Sequence, residues 1–211
     1  MQILLINIVL SGDNAIVIAL ASRNLPQNDR QRAIWWGAFG AVALRIALTA
    51  VAITLLTFPY IKAGGAVLLV YIAIKLLADE GENSRVQEAT TLGKAVFIII
   101  VADFVMSLDN VLAVAAAADN NLKAIVIGIG LSIPLIIWGS SVITHMLTRF
   151  PFLVHIGAAI LGYTAGEMLI SDKATIDLFA RTGILNTMMP YLLAIFVVLV
   201  GMAMGRFHHK K

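Results

Sequence analysis

The chain has 211 residues, of which 60% are hydrophobic and 13% are charged, and its formal net charge is +3. Soluble domains carry about 25% charged residues, so this composition excludes an ordinary water-soluble fold and predicts an integral membrane protein. The absence of cysteine excludes disulfides, thiolate metal sites and cysteine nucleophiles.

Seven apolar runs are long enough to cross a bilayer, which takes about 20 residues for each helix. In chain order, the predicted spans are residues 3–21, 33–57, 61–78, 93–117, 124–147, 152–170 and 185–204. The first run lacks a signal-like cleavage site, so we expect it to be a retained span.

Basic residues are distributed unevenly between the two sides that seven crossings define. One side collects Arg23, Arg30, Arg32, Arg85, Lys94, Arg149, Arg206, Lys210 and Lys211, and the other collects Lys62, Lys123, Lys173 and Arg181. The positive-inside rule therefore predicts a cytoplasmic C-terminus and an N-terminus outside the cell. Because these residues flank apolar runs, the positive net charge does not indicate nucleic-acid binding.

The first six spans consist of two related halves, residues 3–78 and 93–170, followed by an extra helix at 185–204. The segment MSLDNVLAVA at 106–115 repeats LSGDNAIVIA at 10–19, and FPF at 150–152 repeats FPY at 58–60. Each half has an odd number of spans, so the second must enter the membrane from the opposite side. Inverted repeats are typical of secondary transporters, whose sites lie near the midplane. The sequence predicts one all-α membrane domain of two inverted three-helix repeats plus a C-terminal helix.

Two aspartates, Asp13 and Asp109, lie near the middle of spans one and four in a repeated Ser-x-Asp-Asn motif. A carboxylate at this depth costs about 2.5–3.5 kcal/mol unless it is protonated, paired or bound to a cation. The repeat would bring the two together, and a divalent cation would remove their repulsion. The ligands are hard oxygens, which suit Mg²⁺, Ca²⁺ or Mn²⁺. The predicted metal site comprises Asp13, Asp109, Asn14, Asn110, Ser11 and Ser107.

An alternative reading keeps both aspartates as helix contacts through Ser, Asn or Arg45. Arg45 either balances a carboxylate in the metal-free state or forms a fixed structural pair. Asp103 lies six residues before Asp109, on nearly the opposite face of an ideal helix, and its repeat counterpart is Asn7. It is either a proton carrier or outer ligand, which requires a bent helix, or the partner of Arg45 or Lys75.

Lys75 and Glu167 occupy equivalent repeat positions near the ends of spans three and six. Lys75 is a candidate for charge balance, although a lysine at this position more often extends to the membrane surface. Glu167 is a candidate auxiliary or proton-coupling acid.

The segments VLSGDNA at 9–15, SLDNV at 107–111 and LRI at 44–46 resemble the TerC family, named for tellurium resistance, and its shorter YjbE-like metal transport proteins. The resemblance covers essentially the whole chain. It implies a bacterial inner-membrane protein that exports manganese, and it carries the family's intramembrane acids over to Asp13, Asp103 and Asp109. Many members have an aspartate where this chain has Asn7, so one carboxylate fewer is implied here.

The predicted function is a secondary transporter that exports Mn²⁺ or a similar hard divalent cation, coupled to protons because no nucleotide-binding motif is present. The expected partners are the metal ion, protons and the lipid bilayer, with no resident cofactor and no enzymatic activity. The alternatives are a Ca²⁺/H⁺ exchanger, or a non-transporting scaffold for metal delivery or tellurite resistance.

Overall fold

The computed structural model describes residues 12–55, 59–78, 91–117, 122–176 and 184–208. Every regular element in these ranges is an α-helix, and they contain no strand. The helices are α1 (Gly12–Ser22), α2 (Gln27–Leu55), α3 (Ile61–Ala78), α4 (Leu92–Ala117), α5 (Leu122–Gly130), α6 (Ile133–Arg149), α7 (Phe152–Ile170) and α8 (Ile184–His208). The predicted all-helical membrane fold is confirmed.

Four described segments are long and apolar enough to cross a membrane: Ile61–Ala78, Val126–Arg149, Phe152–Ile170 and Asn186–Gly205. α2 and α4 contain 29 and 26 residues, which at 1.5 Å per residue gives each a length of about 40 Å. These two helices also carry the buried charges described below. α1 covers the second half of the first predicted span, and the first half lies outside the described residues.

The fifth predicted span is divided into two helices, α5 and α6. The break lies at Leu131 and Ser132, shortly before Pro134, which is the second residue of α6. Proline has no N–H to donate to the carbonyl of Gly130, and it disfavours the helical conformation at the residue before it. The hydroxyl of Ser132 donates to the carbonyl of Ile129 at 2.6 Å. The helical hydrogen bonding is therefore interrupted here, within a stretch, Val126–Arg149, that is long enough as a whole to cross the membrane once.

The chain packs into two compact units. The first contains α1, α2, α4, α5 and α6, and the second contains α3, α7 and α8. Each unit therefore takes helices from both of the predicted sequence repeats. The superposition of one repeat on the other remains a prediction.

In the first unit, two glycines allow α2 to approach α4 closely. A Cβ atom at Gly37 would lie 2.8 Å from the side chain of Ile99, and one at Gly40 would lie 2.7 Å from that of Ile100. The contacting residue numbers rise together along both helices, so α2 and α4 run parallel. α1 packs against α4 and α6 in the same unit.

In the second unit, glycines of α7 lie against the backbone of α8. A Cβ at Gly162 would approach the Cα of Ala194 to 2.8 Å, and one at Gly166 would collide with Pro190. Here one residue number rises as the other falls, so α7 and α8 are antiparallel. α3 packs against both of these helices.

Candidate metal site

Asp13 and Asn14 lie in the first turn of α1, which is described from Gly12 onward. The Asp13 carboxylate accepts the backbone N–H of Asn14 at 2.8 Å and remains partly exposed. The Asn14 side chain is only 2% exposed, and neither its oxygen nor its nitrogen has a hydrogen-bond partner within the described part of the chain. A buried amide without partners costs about 1–3 kcal/mol, so such a group requires an explanation.

A second polar group is built around Arg45 on α2. Its Nη2 atom donates to Oδ1 of Asp103 at 2.5 Å, and its Nε atom donates to the hydroxyl of Ser107 at 2.9 Å. The Ser107 hydroxyl donates in turn to Oδ2 of Asp103 at 3.2 Å. All three side chains are buried. Ion pair and hydrogen bonds together satisfy a carboxylate that α4 would otherwise place unpaired in an apolar core.

The two polar groups lie in the same unit. α1, which carries Asp13, packs against α2 and α4, which carry Arg45 and Asp103. The structure thus pairs two of the predicted site residues, Arg45 and Asp103, and places the third, Asp13, on a neighbouring helix. Of the two partners that the sequence offered for Asp103, the structure selects Arg45.

α4 is continuous from Leu92 to Ala117, so no bend turns Asp103 onto the face of Asp109. Ser107 lies one turn after Asp103 and therefore shares its face. Sequence reasoning grouped Ser107 with Asp109, whereas in the structure its hydroxyl contacts Arg45 and Asp103. Asn110 is partly buried and engaged in an interaction.

The rest of the predicted ligand set cannot be placed in the same way. Ser11 and Asn7 lie outside the described residues, and the side chain of Asp109 is also outside the described part of the chain. Among the described residues, no group of three or more His, Cys, Asp or Glu side chains gathers as a metal cluster. The pairing of Asp13 with Asp109 therefore remains a prediction.

Lys75 and Glu167 belong to the second unit. The ammonium of Lys75 lies 5.6 Å from the ring centre of Tyr71, one turn earlier on α3. Glu167 is exposed and lies one turn after Tyr163, whose ring packs edge-on against Tyr191 with centroids 5.3 Å apart. The Lys75 contact is local to α3, whereas the contact of Tyr163 with Tyr191 joins α7 to α8.

Sequence reasoning missed Asp172, in the turn after α7. Its carboxylate is 1% exposed and accepts the backbone N–H groups of Tyr60 and Ala63, both at 3.1 Å, and of Ala174 at 2.7 Å. Burial by itself raises the pKa of the Asp172 carboxyl, but these backbone donors outweigh it and hold the pKa below its usual value. Asp172 thus holds the beginning of α3 against the end of α7, and its signal in the sequence is only a polar residue after an apolar run.

Comparison with known proteins identifies one family of membrane proteins. Residues 1–211 match the family described as "Integral membrane protein TerC family". The chain is 43% identical over 194 residues to the uncharacterized membrane protein YjbE of Bacillus subtilis (strain 168), covering 92% of this chain and 89% of that protein.

Two further relatives are more distant. The chain is 27% identical over 170 residues to the uncharacterized membrane protein YceF of the same strain, covering 76% of this chain and 66% of that protein. It is 27% identical over 167 residues to a UPF0053 protein of Buchnera aphidicola, covering 70% of this chain and 32% of that protein. No solved structure matches the chain.

Proposed function

Because the chain belongs to the TerC family of integral membrane proteins, we propose that it is a secondary transporter that exports Mn²⁺, or a similar hard divalent cation, in exchange for protons. The transported ion binds in the first unit between Asp13 and Asp109. Asn14, Asn110 and Ser11 supply further oxygen ligands, whereas the Ser107 hydroxyl is already bound to Arg45 and Asp103.

The observation that carries this proposal is the buried Asn14 amide. Its side chain is 2% exposed and has no hydrogen-bond partner within the described residues, and it directly follows Asp13. An amide oxygen beside a carboxylate is a hard donor pair of the kind that binds Mn²⁺ or Ca²⁺. Ion binding would satisfy the orphaned amide oxygen, which a purely structural role of Asp13 leaves unexplained.

The charge of the surroundings supports a cation rather than an anion. Asp13 is partly exposed, and its helix packs against α4, which carries a second carboxylate, Asp103, paired with Arg45. Carboxylates are costly in an apolar unit unless a cation neutralises them. A transported cation supplies that neutralisation when it binds, and removes it when it leaves.

The proposed exchange of metal for protons requires an acid that carries the proton. Of the two predicted auxiliary acids, Asp103 is bound to Arg45, whereas Glu167 is exposed. Glu167 is therefore the preferred proton carrier. If it has this role, Glu167→Gln should lower Mn²⁺ flux driven by a pH gradient while leaving Mn²⁺ binding unchanged.

The test is ion flux in liposomes that contain only the purified protein. We expect Mn²⁺ to cross the membrane, driven by an imposed pH gradient, in preference to Ca²⁺, Fe²⁺ and Zn²⁺. Preferred Ca²⁺ flux would indicate the Ca²⁺/H⁺ exchanger instead. Absence of flux of any of these ions would favour the non-transporting scaffold.

The site itself is tested by Asp13→Asn and Asp109→Asn. Each change keeps the side-chain volume but removes one negative charge, so each variant should insert in the membrane and lose Mn²⁺ flux almost completely. The double variant should be little worse than either single one, because both residues serve one ion. Asp29→Asn, in an exposed ion pair at the start of α2, is the matched control and should transport normally. Normal flux in either site variant would mean that the two aspartates are only helix contacts.

A further inference from the structure

A cavity of about 330 Å³ lies against the first turns of α2, away from the residues proposed to bind the transported ion. Its lining residues are Asn28, Gln31, Arg32, Trp35 and Trp36. These residues recur at intervals of three and four, so they lie on one face of the helix. All five are exposed, and the volume lies within the range of ligand pockets, about 300–1,000 Å³.

The lining of this cavity changes from polar to aromatic along α2. The helix has 29 residues, so its length of about 40 Å exceeds the hydrocarbon thickness of about 30 Å. Its end is almost entirely apolar, so the excess length lies at its polar beginning. Arg32 and the two amides before it therefore reach the headgroup layer, and Trp35 and Trp36 border the hydrocarbon, a depth that tryptophan favours.

The neighbouring helix α4 continues both layers. The two helices are parallel, and Gly37 of α2 packs against Ile99 of α4. Counting back five residues on each helix places Lys94 level with Arg32, and Phe97 comes level with the tryptophans. Lys94 and Phe97 are both exposed. The headgroup layer thus carries two positive charges, and the next layer carries aromatic rings.

Arg32 is the basic residue of the cavity that can receive an anion. Its guanidinium is 68% exposed and lies 3.8 Å from the Asp29 carboxylate, which is beyond hydrogen-bond distance. Arg30, by contrast, donates to the backbone carbonyls of Arg23 and Leu25, both at 3.1 Å, and so holds the turn between α1 and α2. The planar guanidinium matches two phosphate oxygens, which makes Arg32 the phosphate-binding group of this face.

We propose that this face of α2 binds an anionic phospholipid, with the lipid phosphate on Arg32 and the acyl chains along Trp35 and Trp36. The ligand has to be amphipathic because the cavity extends from the headgroup layer to the aromatic layer. The two cations of the headgroup layer favour an anionic headgroup over a zwitterionic one, whose ammonium group they repel. This site is independent of the proposed ion transport.

An ordinary belt of interfacial aromatic residues would give the same exposed tryptophans without a lipid preference. Such a belt accepts any phospholipid, whereas a site with Arg32 at its head binds phosphatidylglycerol more tightly than phosphatidylcholine. A site for a free anion would bind glycerol phosphate without acyl chains. The headgroup preference and the requirement for chains therefore separate the three cases.

The experiment measures quenching of tryptophan fluorescence in the purified full-length chain in detergent, with phospholipids brominated on their acyl chains. The chain has three tryptophans, and Trp138→Phe, at a position that is 68% exposed, leaves Trp35 and Trp36 as the reporters. Brominated phosphatidylglycerol should reach half-maximal quenching at a mole fraction about fivefold lower than brominated phosphatidylcholine. An excess of glycerol phosphate should leave this quenching unchanged.

In the same Trp138→Phe background, Arg32→Gln should remove most of the preference for phosphatidylglycerol, and Arg32→Lys, which keeps the charge, should retain most of it. Arg149→Gln is the matched control, because it removes an exposed basic residue at the end of α6, outside the cavity. Its preference should be unchanged.

Equal quenching by the two brominated lipids would overturn the proposal and leave only an aromatic belt. An unchanged preference in Arg32→Gln would overturn it as well, since the charge would then act from elsewhere. Reversal of the quenching by glycerol phosphate would indicate a site for a free anion instead of a lipid. None of these outcomes depends on whether the protein transports Mn²⁺.

Discussion

Asp172 is a single carboxylate that fixes one end of a helix. The backbone N–H groups at the beginning of a helix have no partner within the helix. The carboxylate of Asp172, which follows α7, accepts the N–H groups of Tyr60 and Ala63 at the beginning of α3. Tyr60 has a positive φ of 65°, a conformation that a bulky residue adopts only when its surroundings require it. The contact with Asp172 is one such requirement.

Asp172→Asn should lower the free energy of unfolding at neutral pH by about 1–2 kcal/mol, because a neutral amide accepts these N–H groups more weakly. The pKa of Asp172 is lowered in the folded protein. Its contribution is therefore fully present above the unfolded-state pKa of about 3.9 and is lost as the pH falls through the lower folded-state pKa. The measurement is thermal unfolding of both proteins in detergent as a function of pH.

The difference in stability between the two proteins should disappear at strongly acidic pH, since both side chains are then neutral. A difference that stays constant from neutral to acidic pH would contradict the charged role of Asp172. Asp29→Asn, which removes an exposed pair with Arg32, should change stability little at any pH.

For individual residues, sequence reasoning identified the buried charges but not all of their partners. The burial cost of a carboxylate singled out Asp103 and Arg45, because an isolated charge in an apolar helix is conspicuous. It did not separate Arg45 from Lys75 as the partner of Asp103, since that choice depends on how α2 lies beside α4. Asp172 was missed for the same reason: the partners that it holds from α3, Tyr60 and Ala63, are backbone groups more than 100 residues earlier, and backbone groups carry no signal in the sequence.

Helices of this protein approach one another at glycines, and the contact of α7 with α8 is the closest of those described. Gly166 faces Pro190, a proline inside α8. Small residues allow such contacts in membranes, where van der Waals packing has to replace the hydrophobic effect.

Gly166→Ala should therefore destabilise the second unit by about 1–3 kcal/mol, because the added methyl group has to displace the backbone of α8. Gly64→Ala, on α3 of the same unit, is the matched control: a Cβ atom there meets nothing within 4 Å. We expect that variant to be neutral or slightly stabilised, since alanine favours a helix more than glycine does. Equal unfolding temperatures for the two variants in detergent would show that α7 and α8 do not need this close approach.

Helix boundaries were predictable where a polar segment or an FP motif interrupts an apolar run. α3 and α7 begin and end at the predicted residues. The break between α5 and α6 was missed, because the fifth run remains apolar through it and apolar length alone indicates one span. Pro134 was the available signal, and its effect on the preceding residues would have predicted the interruption.

The directions of the packed helices agree with a chain that crosses the membrane in alternating senses. α2 and α4 are parallel in the first unit, as spans two and four must be. In the second unit, α7 is antiparallel to α8, and Asp172 joins the end of α7 to the beginning of α3. α3 and α7 are thus antiparallel, which is the relation that inverted repeats require of spans three and six.

These directions leave open which side of the membrane is the cytoplasm, and the uneven distribution of basic residues is the argument for the N-out orientation. It places the start of α2 inside the cell and the turn after α7 outside. The chain contains no cysteine, so single cysteines can report on both positions without a background. Asn28 and Lys173 are exposed residues at these two places.

In intact cells, a membrane-impermeant maleimide should label Lys173→Cys and leave Asn28→Cys unlabelled, because the predicted orientation places only the turn after α7 outside the cell. After permeabilisation both variants should be labelled, which controls for expression and for local access. The opposite pattern would mean that the protein has the inverted orientation, with the start of α2 outside the cell and the turn after α7 inside. Labelling of both positions in intact cells would mean that the number of crossings between residues 28 and 173 is even, which the predicted series of spans does not allow.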